Sequence, residues 1–228
     1  MALLKVSSIQ KNFGAKSILD EVNFELKTGE ILGVFGRNGS GKSTLLKILF
    51  GTQTAQAGRL KVNERYYPVR KSIWHKSRII ESQQIGYLPQ FSFLPKGAKV
   101  WDVIPQYLKG QEQDLVFQAP RMPKIAGRKV GELSMGERRY LEVLLIGNLD
   151  HPFLLLDEPF SMVEPLFKDL IHEFLVSLKA KKGILITDHY YHDVWQLSDR
   201  KMVLTSGKLT PITELEELIK AGYLQSIN

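Results

Sequence analysis

The chain contains no cysteine among its 228 residues. This absence excludes a disulfide framework, a metal site built on thiolates and a cysteine nucleophile. Lack of cysteine agrees with a cytoplasmic protein. The first 13 residues favour the same location, because charged and polar residues interrupt every apolar stretch and neither a secretory signal nor a targeting peptide is evident.

Long hydrophobic runs are also lacking. Apolar runs such as residues 143–146 and 153–156 fall far short of the roughly 20 residues that a membrane-spanning helix needs. The chain is therefore not expected to form a channel itself. Internal repeats and low-complexity segments are absent too, and the hydrophobic fraction of 43% is typical of a globular protein with one good core.

Basic residues outnumber acidic ones, which gives a formal net charge of +7. This excess favours contact with anionic surfaces such as lipid headgroups or nucleic acid, and it does not choose between them. The densest basic stretch is residues 65–78, where aromatic residues separate the cations. Two interpretations stay open for it: a solvated rim of a small β subdomain, or a patch that contacts lipid or a partner.

A glycine-rich loop is the most informative segment of the chain. Residues 36–44 read Gly-Arg-Asn-Gly-Ser-Gly-Lys-Ser-Thr and fill the spacing G-x-x-x-x-G-K-S of a phosphate-binding P-loop. The apolar residues 31–35 before it and the mostly apolar residues 45–49 after it predict the strand and the helix that flank such a loop. Its backbone N–H groups and the start of the helix would face the phosphates of a nucleoside triphosphate.

Two side chains of this P-loop have expected contacts of their own. Lys42 would reach the β- and γ-phosphates, and Ser43 would hold Mg²⁺. We expect the whole loop to bind nucleotide through Gly36, Arg37, Asn38, Gly39, Ser40, Gly41, Lys42, Ser43 and Thr44.

The apolar segments predict an α/β fold. Residues 3–9 and 22–26 have the pattern of an antiparallel edge that leads into the P-loop strand. Residues 153–156 form a continuous apolar run of the kind buried on both faces of a parallel sheet, and residues 183–187 predict the next buried strand. Apolar residues recur at helical spacing between these two strands, which predicts a right-handed βαβ unit.

Residues 97–133 differ from the segments around them. Their pattern is helical and polar, and three prolines interrupt it, so they are the best candidate for a helical insert. A longer helix is predicted at residues 136–149, and a short amphipathic helix at residues 213–221.

A P-loop alone fits kinases, GTPases and many ATPases. Here residues 133–137 read Leu-Ser-Met-Gly-Glu and are followed, after an apolar run, by Asp-Glu-Pro at residues 157–159. In this order the motifs resemble the nucleotide-binding domain of ATP-binding cassette (ABC) proteins, whose signature motif Leu-Ser-Gly-Gly-Gln precedes a Walker B strand ending in Asp-Glu. The resemblance covers nearly the whole chain.

The resemblance implies the fold and the ligands. The fold would be that of a P-loop NTPase (RecA-like), with a mixed sheet core, an antiparallel β subdomain and a helical insert at approximately residues 97–133. One ABC ATPase domain would span residues 1–228. ATP would be the substrate, and Mg²⁺ would accompany it.

Catalytic roles follow from the same resemblance, since ATP hydrolysis needs charge neutralisation and a positioned water. Asp157 would hold Mg²⁺, directly or through water, and Glu158 would polarise the attacking water as general base. The histidine of Ile-Thr-Asp-His, His189, would contact the γ-phosphate and that water. Gln90 would bind Mg²⁺ and link its occupancy to the helical insert, and Phe13 would stack on the adenine.

Ser134 and Gly136 begin a predicted helix and would form a second anion site, although the P-loop already provides one. In the resembling family, dimerisation explains this duplication, because the signature of one chain caps the γ-phosphate held by the P-loop of the other. The chain is therefore expected to pair head to tail with a second copy of itself or with a related ATP-binding domain.

The chain departs from the family pattern at several positions. Met135 and Glu137 replace a glycine and a glutamine of the signature, and closure on ATP is expected to survive both changes. Glu164 stands where the D-loop usually has aspartate, which puts communication between the two sites in question. Residues 145–148 replace a common alanine-arginine pair, and the sequence offers no functional account of that change.

The leading functional prediction is an ATPase subunit of a transporter, peripheral on the inner face of the cell membrane beneath a separate permease. Phe91, Phe93 and Trp101 lie near the expected permease groove, or they pack within the insert. The alternative is a non-transport ABC ATPase that acts in a soluble assembly or on ribosomes or nucleic acid, although direct nucleic-acid binding is not expected. A small-molecule kinase would leave the signature unexplained.

Overall fold

The structure is a computed structural model that describes residues 1–70 and 78–224. The strands of these ranges are β1 (Leu3–Phe13), β2 (Lys16–Lys27), β3 (Ile31–Phe35), β4 (Ala57–Val62), β5 (Arg65–Tyr67), β6 (Ile85–Leu88), β7 (Phe153–Asp157), β8 (Gly183–Thr187), β9 (Arg200–Thr205) and β10 (Lys208–Ile212). The helices are α1 (Lys42–Phe50), α2 (Arg78–Glu81), α3 (Val100–Tyr107), α4 (Gly110–Gln118), α5 (Met122–Ile125), α6 (Met135–Gly147), α7 (Pro165–Lys179), α8 (Tyr191–Leu197) and α9 (Glu216–Lys220), with a 3-10 turn at Val130–Glu132.

The strands form two sheets. One is antiparallel with the order β2-β1-β4-β5, and the other has six strands in the order β10-β9-β3-β8-β7-β6. Within the larger sheet β9, β3, β8, β7 and β6 run parallel, and β10 pairs antiparallel with β9. The predicted mixed α/β fold with an antiparallel sheet is confirmed.

The larger sheet is buried on both faces, as the apolar runs predict. Side chains alternate along each strand, so Phe153 and Leu155 of β7 pack with α1 and the antiparallel sheet, while Leu154 and Leu156 pack with α6 and α7. Because β3, β7 and β8 are parallel, their carboxyl ends meet at one edge. The loops that follow these three strands therefore converge there.

The helices α3, α4 and α5 fall inside the predicted insert at residues 97–133. Two backbone hydrogen bonds tie the ends of this segment together: Val100 N donates to Arg128 O at 3.0 Å, and Val130 N donates to Ala98 O at 2.9 Å. We call this paired region, residues 98–100 and 128–130, the neck. That residues 97–133 are a subdomain of a single domain stays a prediction.

Some elements differ from the sequence-based expectation. The strands β1 and β2 run farther than predicted and meet in a tight turn at Gly14, whose φ is 58°. The short strand β5, the outer strands β9 and β10 and the helix α8 carried too weak a pattern to be predicted. In the described ranges, no helix combines the length and the hydrophobicity that crossing a membrane requires.

The basic stretch at residues 65–78 is described only in part. Its first residues form β5 at the edge of the antiparallel sheet, where the guanidinium carbon of Arg65 lies 5.5 Å from the ring centroid of Tyr67. Residues 71–77 lie outside the described residues. The choice between a solvated rim and a contact patch stays open.

Gly183 gives a test of the close packing at the start of β8. A Cβ atom there would lie 2.6 Å from the carbonyl oxygen of Lys27 and 2.9 Å from the ring of buried Phe153. We expect Gly183→Ala to lower the free energy of unfolding by about 1–3 kcal/mol through overpacking. Urea unfolding measures the change. Gly97→Ala is the matched control, since nothing lies within 4 Å of its added Cβ; equal effects of the two variants would contradict the prediction.

Candidate active site

The P-loop lies between β3 and α1 and needs glycine at defined positions. Gly36, Gly39 and Gly41 have φ values of 154°, 76° and 110°, which disfavour other residues. A Cβ atom on Gly36 would lie 2.7 Å from the carbonyl oxygen of Leu204, and one on Gly41 would lie 2.8 Å from Ile18 Cγ2. The loop is thereby held close against β9 and β2.

Lys42, the first residue of α1, is buried. Its ammonium group donates to the carbonyl oxygen of Gly36 and, at 3.2 Å, to that of Arg37. Burial lowers the pKa of Lys42, and the nearby carboxylates of Glu158, Asp157 and Asp188 oppose this shift. The lysine therefore closes the loop on itself and places one positive charge inside it.

Asp157 ends β7 and is almost fully buried. Its Oδ1 accepts hydrogen bonds from the hydroxyls of Ser43 and Thr187, both at 3.0 Å, and its Oδ2 accepts one from Tyr87 at 3.2 Å. Burial raises the pKa of Asp157, and the bonds from Ser43, Thr187 and Tyr87 counteract that shift. The structure thus brings the predicted metal ligands Ser43 and Asp157 into contact.

Glu158 follows in a left-handed conformation with φ of 56°, fixed by a hydrogen bond from its N–H to the carbonyl oxygen of Thr187 at 2.8 Å. Its buried carboxylate lies 2.8 Å from His189 Nε2 and accepts hydrogen bonds from Gln90 at 3.0 Å and from Ser161 at 3.1 Å. The three predicted catalytic residues, Glu158, His189 and Gln90, are therefore in direct contact.

A cavity of about 300 Å³ opens beside these groups. The described residues that line it are Phe13, Ile18, Asn38, Gly39, Gly41, Lys42, Ser43, Thr44, Gln90, Glu158 and His189. Gly36, Arg37 and Ser40 shape the P-loop without lining this cavity. Phe13 is one of the lining residues and keeps 52% of its surface exposed, so part of its side chain is accessible to a ligand.

The signature residues Ser134 and Gly136 are not among the described residues that line this cavity. They begin α6, where Ser134 and Glu137 form a capping box: Glu137 N donates to Ser134 Oγ at 3.1 Å, and Ser134 N donates to Glu137 Oε2 at 2.7 Å. Arg128 holds the same carboxylate with bonds of 2.9 and 3.1 Å. The unusual Glu137 is therefore a structural cap.

Two other departures from the family pattern also have structural partners. The carboxylate of Glu164 lies over Gly136, since a Cβ atom added to Gly136 would be 1.8 Å from Glu164 Oε2. Gly147 lies under the ring of Phe174, with 2.5 Å between its virtual Cβ and Phe174 Cε1. Glycine at both positions lets α7 and its preceding loop approach α6 closely.

Arg139 was not predicted to take part in the site. It is buried in α6 and donates to the carbonyl oxygens of Asp157 at 2.6 Å, Glu158 at 3.0 Å and Pro89 at 2.8 Å. It also donates to the carboxylate of Glu142 at 3.2 Å. The sequence held one signal for this role, because helical spacing puts residue 139 on the same face as buried Gly136.

Asp188 is a second residue that the motif search did not single out. It is buried, and burial raises its pKa. Its carboxylate accepts hydrogen bonds from Phe160 N at 2.7 Å, Tyr190 N at 3.0 Å and the hydroxyl of Ser161 at 3.1 Å. The loop after β8 is thereby fastened to the loop after β7.

Arg139→Met tests whether this arginine stabilises the backbone at Pro89, Asp157 and Glu158. The substitution leaves three carbonyl oxygens without their donor and Glu142 without its buried cation, so we expect the free energy of unfolding to fall by about 3–5 kcal/mol. Chemical denaturation measures it. The half-buried neighbour Arg138 supplies the control, Arg138→Met, and a similar small loss in both variants would contradict the role of Arg139.

Comparison with known proteins agrees with the arrangement of motifs. The family model described as ABC transporter matches residues 19–161. An uncharacterised ABC transporter ATP-binding protein of Methanocaldococcus jannaschii is 28% identical over 99% of this chain and 83% of its own length. The Nod factor export ATP-binding protein I of Burkholderia orbicola is 31% identical over 91% of this chain and 69% of its own length.

Among solved structures, a nucleotide-free ATP-binding cassette from an ABC transporter has the same fold, with a TM-score of 0.81 and 22% identity over 97% of this chain and 95% of that chain. The family match extends from β2 across the P-loop and the signature to Ser161. The chain belongs to the ABC transporter family, as an ATP-binding cassette with ATPase activity.

Proposed function

We propose that this ATPase is the nucleotide-binding subunit of a membrane transporter and that it hydrolyses ATP with Glu158 as general base. The observation that carries the proposal is the buried Glu158 carboxylate, which lies beside the P-loop and is oriented by Gln90, Ser161 and His189. Burial of this carboxylate costs free energy, and the contacts with Gln90, Ser161 and His189 hold it at the cavity that the P-loop also lines, where a general base is needed.

The P-loop fits the phosphates of ATP. Its glycines leave no Cβ over the loop, and Lys42 brings a buried positive charge. The buried hydroxyl of Ser40 has no hydrogen-bond partner among the described residues. Adenine would stack on the ring of Phe13, with Lys11 Nζ 5.0 Å from the ring centroid.

The site also suits Mg²⁺. Ser43 and Asp157 present oxygen atoms next to the P-loop, and the amide nitrogen of Gln90 is used by Glu158, which leaves the amide oxygen for another contact. Hard oxygen donors of this kind, few in number and completed by phosphate and water, are what Mg²⁺ prefers. When bound, the ion would neutralise charge on the phosphates.

Hydrolysis then needs one positioned water. Glu158 would accept a proton from this water as its oxygen attacks the γ-phosphorus, and the bond to the leaving ADP oxygen would break. His189, 2.8 Å from Glu158 Oε1, would orient the carboxylate and contact the γ-phosphate. Gln90 would contact both the metal and the base. Its amide nitrogen donates to Glu158, and its amide oxygen would bind Mg²⁺.

The signature motif supports a head-to-tail dimer. Ser134 and Gly136 lie at the start of α6 and are not among the described residues that line the cavity of their own chain, so this helix terminus would cap a γ-phosphate held by a second cassette. Glu164 lies beside Gly136 and would bring a negative charge close to that phosphate. The proposed partner is a second copy of this chain or a related cassette.

Two exposed aromatic residues support contact with a permease. Phe91 is 79% exposed directly after Gln90, and Trp101 is 47% exposed on α3 of the predicted helical subdomain, residues 97–133. Phe93, in contrast, precedes the insert and packs edge-on against Tyr107 of α3, with 5.8 Å between ring centroids. The cassette would lie on the inner face of the membrane, with its insert against the permease.

Glu158→Gln tests the proposed base. The amide cannot accept the proton, so we expect turnover to fall roughly 10²-fold or more while ATP binding is kept. An ATP-bound dimer should accumulate, and light scattering measures its mass. The control is Glu173→Gln on the exposed side of α7. Normal turnover in Glu158→Gln, or a monomer at saturating Mg-ATP, would contradict the base or the dimer respectively.

Affinity capture tests the transporter partnership. Tagged Glu158→Gln protein is captured with Mg-ATP from detergent-solubilised cells that naturally contain it, and co-purifying proteins are identified by mass spectrometry. We expect a stoichiometric multi-span membrane protein. The same variant with Lys42→Ala added, which should not bind ATP, is the control. Recovery of soluble proteins, ribosomes or nucleic acid alone would favour the non-transport alternative.

A further inference from the structure

The chain returns to the active site after its last strand. Leu218 of α9 is fully buried in the core cluster that also contains Phe35 and Ile186. Five residues later in the chain, Tyr223 N donates to the carbonyl oxygen of Leu218 at 2.8 Å. The segment after α9 is therefore held against the sheet edge at which the P-loop begins.

Tyr223 contacts two parts of the site at once. Its hydroxyl shares its one hydrogen between the carbonyl oxygens of Asp188, at 3.2 Å, and His189, at 3.4 Å, in a bifurcated hydrogen bond. Its ring packs edge-on against Phe35, the last residue of β3 before the P-loop, with 6.1 Å between ring centroids. One side chain thus spans the base of the P-loop and the loop that carries His189.

The loop that carries His189 has few other restraints. Residues 188–190 lie between β8 and α8 and belong to neither. The side chain of Asp188 fastens the start of the loop, and the N–H of Tyr191 donates to the carbonyl oxygen of His189 at 3.0 Å. Tyr190 N also donates to the carboxylate of Asp188 at 3.0 Å. The hydroxyl of Tyr223 contacts the carbonyl oxygens of Asp188 and His189 from outside the loop.

The hydroxyl stays protonated at neutral pH, as a donor must. Burial raises the pKa of Tyr223 to about 12, and the negative charges of Asp188 and Glu158 act in the same direction. The tyrosine therefore offers one lasting donor to two carbonyl oxygens that would otherwise be free to turn with the loop.

We propose that Tyr223 is a positioning residue that fixes the backbone at Asp188 and His189 and thereby keeps the His189 imidazole against Glu158. The inference rests on the proposed role of His189 and adds to it a residue outside every motif of the family. Its structural basis is the bifurcated hydrogen bond at 3.2 and 3.4 Å together with the 2.8 Å contact between His189 Nε2 and Glu158.

The variant Tyr223→Phe removes the hydroxyl and keeps the ring against Phe35. We expect kcat for ATP hydrolysis to fall about 2- to 10-fold, the factor that one hydrogen bond of ordinary strength represents, while KM for ATP stays unchanged. The matched control is Tyr140→Phe. Tyr140 is also buried, and its ring packs on Phe167 at 5.9 Å, away from the loop of His189.

A double-mutant cycle separates positioning from a general structural effect. In a His189→Ala background, Tyr223→Phe should produce no further loss of kcat, because the group it positions is gone. The same loss with and without His189, or unchanged kcat in Tyr223→Phe alone, would overturn the inference. Full turnover in His189→Ala alone would instead refute the proposed role of His189, and the inference with it.

Discussion

The arrangement of the site depends on the contacts made by the buried carboxylate of Glu158. It joins the segment after β6 through Gln90, the loop after β7 through Ser161 and the loop after β8 through His189. Removing a carboxylate from water costs several kcal/mol unless donors replace the water. Contacts with Gln90, Ser161 and His189 offset this cost only while all three segments keep their places, so the conformations of these segments depend on one another.

A network of buried charges surrounds this contact. Lys42 faces the carboxylates from the P-loop, and Arg139 donates to the carbonyl oxygens of both Asp157 and Glu158 from the opposite side. Networks of this kind are stable only when every member has its partners. The site is therefore formed by segments from several elements along this edge of the sheet, and the P-loop is one of them.

Many residues of the candidate site were predicted from the sequence alone. The P-loop and Asp-Glu carry local patterns that physical chemistry interprets, whereas the signature, Gln90 and His189 were predicted from the resemblance to ABC proteins. Gln90, Glu158 and His189 are indeed in contact in the structure. Arg139 and Tyr223 were missed for a different reason. Most of their partners are main-chain carbonyl oxygens that lie far away in sequence, and such contacts leave little pattern in the sequence.

The neck constrains what movement of the insert can transmit. Its backbone bonds join residue 98 to residue 130 and residue 100 to residue 128, so the two chain segments that connect the insert to the core cannot separate independently. These bonds couple the two segments to each other, so a shift of one is shared by the other while the bonds persist. One segment continues back to Gln90 and the other forward to Ser134, so the neck links these two parts of the candidate site through the backbone.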